Sequence, residues 1–89
     1  MTTPVMTKTT ILEWEGDLSD PERYNQIIQK AQELAAIGLT DGNKIAADDY
    51  SMVRRNWVDE TAAQDWINFV VELNSRYNVT LKSSQIVDI

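Results

Sequence analysis

Apolar residues recur at spacings of three and four over two stretches of the chain and alternate over three others. The clearest helical stretch is Ala63, Trp66, Ile67, Val70, Leu73 and Tyr77, one stripe of an α-helix with Asp65, Asn68, Glu72 and Arg76 on its wetter sides. Phe69 and Val71 broaden that stripe, so the helix is well covered. Asp59 and Glu60 stand at its start, where a carboxylate accepts from the orphan amides of the first turn and suits the positive end of the dipole. The second stretch is Tyr24, Ile27, Ile28, Ala31, Leu34 and Ala35, which predicts a helix over Pro21–Ile37 ending at Gly38. Two caps fit its start: Asp20 with Pro21 at the first helical position, or Ser19 answered by Glu22.

Alternation marks the strands. Thr10, Leu12 and Trp14 oppose Thr9, Ile11, Glu13 and Glu15 in a first strand over Thr7–Glu15. Val53, Arg55 and Trp57 oppose Met52, Arg54 and Asn56 in a strand over Ser51–Trp57. A last strand runs from Val79 to Val87, where Ser83 and Gln85 interrupt the apolar face in the manner of a bulge. Between the first helix and Ser51, Asp41-Gly42-Asn43 is turn chemistry. Lys44–Ala47 then predicts a short strand joined by Asp48-Asp49 in a hairpin. Residues 1–6 form a tail and residues 7–89 one domain.

The order is strand, helix, weak strand, strand, helix, strand. Two strand–helix–strand units with right-handed crossovers give an α+β, ferredoxin-like βαββαβ sandwich, an antiparallel sheet with both helices on one face. The first and third strands become central neighbours, so Glu13 and Glu15 are expected to face Arg54 or Arg55 and help set register.

Composition narrows the chemistry. An 89-residue chain makes one small domain of modest stability, and 43% hydrophobic content argues against disorder. Eight basic residues against 14 acidic ones give a net charge of −6, which repels nucleic-acid backbones. The chain has no cysteine and no histidine, which removes disulfides, thiolate sites, the commonest general base and the commonest transition-metal ligand. No cofactor or metal is expected. Calcium would need a loop of alternating oxygen ligands, and Ile45 and Ala46 break the one that Asp41-Gly42-Asn43 begins. A nucleophile elbow and a phosphate-cradling glycine loop are also absent from the sequence. Residues 1–10 carry neither a basic segment nor an apolar core, and no run approaches the roughly 20 apolar residues of a membrane span. A cytoplasmic protein with no membrane or nucleic-acid partner is expected.

The succession Arg55-Asn56-Trp57, Asp59-Glu60, Ala62-Ala63 and Trp66 resembles the third strand and second helix of small dimeric ferredoxin-like proteins. These belong to the dimeric α/β-barrel superfamily, which includes antibiotic-biosynthesis-type monooxygenases. The resemblance covers roughly the second half of the chain. It implies a homodimer in which two open sheet faces pack together, sometimes enclosing a pocket. Enzymes of that superfamily work without a metal or flavin of their own and use polar and aromatic residues, often an Asn or Trp. By that resemblance Asn56 and Trp57 are pocket candidates, and Tyr50 joins them in the closed cavity that an enzymatic reading would require. Asn56 and Trp57 are adjacent, however, and a regular strand points them to opposite faces. The catalytic histidine, where the superfamily uses one, has no counterpart here.

The first functional expectation is therefore a non-enzymatic homodimeric binding or assembly module. Its dimer face would carry Ile11, Glu13, Arg54 or Arg55, Lys82 and Ile86. The rival is a small cofactor-independent monooxygenase or isomerase with a pocket between sheet and helices. Trp14, Trp57 and Trp66 are expected as core or interface anchors, since each ring hides much apolar area.

Overall fold

A computed structural model describes residues 5–48 and 51–89. The elements are β1 (Lys8–Gly16), α1 (Pro21–Ala36), β2 (Thr40–Ala46), β3 (Met52–Trp57), α2 (Glu60–Ser75) and β4 (Val79–Asp88). One antiparallel sheet has the order β2-β3-β1-β4, the arrangement of a ferredoxin-like βαββαβ fold. β1 and β3 are central neighbours, and both helices lie on the same side of the sheet, where Leu12, Trp14 and Trp57 form a core with Ala31, Ala63, Trp66 and Val70.

The helix ends follow their local chemistry. Asp20 caps α1, its carboxylate accepting from the amides of Glu22 (2.9 Å) and Arg23 (3.3 Å). Ser19 does not cap; its hydroxyl donates to Asp17. At the other end the amide of Gly38 donates to Ala35 and that of Leu39 to Leu34, the paired bonds of a Schellman motif, with Gly38 at φ +82°. Asp59 caps α2 by accepting from the amide of Ala62 at 2.8 Å. Asp20→Ala should cost about 1 kcal/mol, the typical value of such a cap, read as a lower urea midpoint with an unchanged slope. An unchanged midpoint would mean that Pro21 alone starts the helix.

β2 differs from the expected strand. It begins at Thr40, and the Asp41-Gly42-Asn43 turn chemistry lies inside it as an irregularity: Thr40 is opposite Trp57 and Lys44 is opposite Arg55. Four residues on β2 therefore span two on β3. Two of the freed amides find local acceptors, Asn43 donating to the Asp41 carboxylate and Gly42 to the Thr40 hydroxyl, while Gly42 takes φ +80°. Asp49, half of the expected hairpin connection, lies outside the described residues.

The last strand carries its bulge at Lys82. Glu13 is opposite Ser83 and Trp14 opposite Leu81, which leaves Lys82 without a partner and reverses the face of every residue after it. Ile86 consequently pairs with Thr10 and packs against the core beside Leu81.

Candidate functional site

The side of the sheet away from the helices bears Thr9, Ile11 and Glu13 from β1, Met52, Arg54 and Asn56 from β3, Ile45 from β2, and Val87 from β4. One register row crosses all four strands as Ile45, Arg54, Ile11 and Gln85. Ile45 is 65% exposed, and Ile11, Met52 and Val87 are half-buried. Of the expected dimer-face residues, Ile11, Glu13 and Arg54 share this face and Lys82 sits at the bulge. Arg55 and Ile86 are on the helix side. Glu13 stands opposite Met52, two positions from the residue opposite Arg54, so the two charges are diagonal neighbours. Among the described residues neither enters an ion pair.

Asn56 and Trp57 are not brought together. Asn56 lies on the open face, accepting from the Thr9 hydroxyl (2.8 Å) and donating to the Asp41 carboxylate (2.9 Å). Trp57 is fully buried, and its indole N–H donates to the Thr10 hydroxyl at 3.0 Å. Tyr50 lies outside the described residues. Trp57 thus serves as a core anchor, as Trp14 and Trp66 do.

A cavity of about 40 Å³ opens between α1, α2 and the sheet. Its walls include Leu12, Trp14, Ile27, Val70 and Trp66, and its polar groups come from Arg23, Arg55, Asn74, Tyr24 and Lys44. Arg23 and Arg55 are each 4% exposed and Asn74 is sealed from solvent. The Arg23 Nε donates to the Asn74 side-chain oxygen at 2.5 Å. Arg55 rests on the Trp66 ring, its guanidinium carbon 5.2 Å from the ring centre. Lys44 donates to the Tyr24 hydroxyl at 3.1 Å and lies over that ring. Burial pushes both guanidiniums below their ordinary value. Asp20 and Asp17 oppose this at Arg23, as Tyr24 and Asp41 do at Arg55.

Among the described residues, no carboxylate comes within ion-pair distance of either arginine. The Arg55 Nε and the Asn74 side-chain nitrogen are buried without a hydrogen-bond partner. Arg23 and Asn74 were not among the expected site residues. Their signal was in the sequence: Arg23 leads the Ile27–Ala31 stripe, and Asn74 continues the row of Ala63, Ile67 and Val70. A polar side chain on an apolar stripe needs a partner.

No protein-family model matches the chain, and no curated protein matches it in sequence. The solution structure of a hypothetical protein from Arabidopsis thaliana is similar to it, with a TM-score of 0.51 and 15% sequence identity. The match covers 94% of this chain and 86% of that one. The likeness is one of fold. Among the described residues, no helix is long and apolar enough to cross a membrane.

Proposed function

We propose that this protein is a homodimeric, non-enzymatic binding module of the dimeric α/β-barrel kind, its two copies joined through their open sheet faces. The observation that carries the reading is the helix-free face, where half-buried Ile11, Met52 and Val87 accompany Glu13 and Arg54, neither in an ion pair among the described residues. A two-fold interface must complement itself, and one acid and one base side by side on the central strands can do so. Each copy's Glu13 then meets the partner's Arg54.

The experiment is analytical ultracentrifugation of the wild type and of charge reversals. Glu13→Arg and Arg54→Glu should each weaken the dimer about tenfold or more, because like charges then face each other across the two-fold. Combining them should restore most of the loss. A monomeric wild type, or a dimer unmoved by either single reversal, overturns the reading.

The enzymatic alternative called for a cavity lined by Tyr50, Asn56 or Trp57. Trp57 lines a separate hollow with Leu34, Leu39 and Phe69, whereas the cavity that gathers the arginines is lined by neither Asn56 nor Trp57, and its guanidiniums and amide hold their protonation states near neutral pH. That chemistry favours holding a ligand over moving its protons.

A further inference from the structure

The cavity gathers hydrogen-bond donors and positive charge in a chain whose net charge is −6. Arg23, Arg55 and Lys44 bring three cations to its lining, and among the described residues no acidic side chain lines it with them. The orientation of Asn74 is fixed by chemistry. A guanidinium only donates, so the amide oxygen must face Arg23, and the free Asn74 nitrogen is a donor too. Arg55 Nε is a second donor without an acceptor.

An unpaired buried cation and an unsatisfied buried donor are both costly. Water filling the cavity would give the donors acceptors. A space of about 40 Å³ admits about three waters. Water leaves the charge uncompensated, whereas an anionic ligand supplies acceptors and charge together.

The cavity's shape and walls narrow the anion. A carboxylate head is small and planar, and its lone pairs match the forked guanidinium. A phosphate is bulkier and tetrahedral, and Leu12, Trp14, Ile27 and Val70 offer it nothing in place of its hydration. Those apolar walls suit a short carbon chain. We propose that this cavity is a receptor for a small organic carboxylate, held by Arg55, Arg23 and Asn74 with its tail against the apolar walls. The proposal concerns the helix side of the sheet and does not depend on dimerisation.

Propionate is a suitable probe, because Trp14 and Trp66 line the cavity and report its occupancy by fluorescence. Titrating the full chain with propionate should give a saturable change and a concentration-dependent rise in melting temperature. Chloride and phosphate at matched ionic strength should give neither. In the same samples, an arginine Nε–H resonance should move with propionate.

Arg55→Met should weaken propionate binding at least about tenfold, while the ligand-free melting temperature holds or rises. An apolar side chain of similar length removes a buried unpaired charge. If that variant fails to fold, the resonance shift in the wild type still decides. No saturable response to propionate overturns the proposal, and so does an equal response to phosphate or chloride. A response that persists undiminished in a folded Arg55→Met protein overturns the assignment of Arg55.

Discussion

Replacing Trp66 by alanine should lower the unfolding free energy by about 3–5 kcal/mol, the range for truncating a large aromatic in a core. The ring is 3% exposed and lies 5.2 Å from Trp57 and 6.0 Å from Phe69, centre to centre. It is also the surface on which Arg55 rests. Truncation would open a void between sheet and helices, enlarge the existing cavity and strip a buried cation of its aromatic support. A small domain near the bottom of the usual range of about 5–15 kcal/mol would then keep a large unfolded fraction. Urea titration followed by circular dichroism checks this, with Trp66→Phe expected to lose clearly less. A loss below about 1 kcal/mol would place the ring outside the core, free for a partner.

Gly16→Ala should cost about 2–3 kcal/mol, the upper part of what a backbone forced into a sparsely allowed conformation stores. Gly16 sits at φ +124°, where side chains are rarely tolerated. A Cβ there would come within 2.5 Å of the Asn78 carbonyl oxygen and 3.1 Å of the Val79 Cα. Both obstacles are backbone, so no rotamer can yield. Gly16 pairs with Val79, which is itself buried, and any shift would open the β1–β4 ladder from the end that holds the core. Amide exchange should show the loss concentrated at Val79–Leu81. A cost under about 1 kcal/mol, or the small gain of an unstrained glycine exchange, would mean that the strand end gives way freely.

Much of this fold was legible in the sequence because helices and the central strands write their burial into periodicity. Trp14, Trp57 and Trp66 fall on predicted faces, and both caps could be located to within a residue. What escaped was set by pairing partners, which local pattern does not encode. The chemistry of Asp41-Gly42-Asn43 reads as a turn, and these residues do leave the register, yet Thr40 and Lys44 on either side pair with β3 and carry the strand through them. Ile86 counts onto the open face only until the bulge at Lys82 reverses the parity. Arg55 shares its parity with Val53 and Trp57, so its burial was visible in the alternation. The general preference of arginine for solvent argued the other way. Arg23 and Asn74 meet across 51 positions of sequence, a contact that only the packing of the two helices creates.

The irregularities of β2 and β4 share a position: these are the two edge strands. An edge with a regular row of open amides and carbonyls invites another strand to add, and then another, without end. Here one edge is broken by residues that leave the register and the other by an unpaired residue. Growth along the sheet is disfavoured on both sides. In the proposed dimer association uses the flat face instead, and a face used once by each of two copies is used up, so that assembly would end at a pair and not run into a fibre.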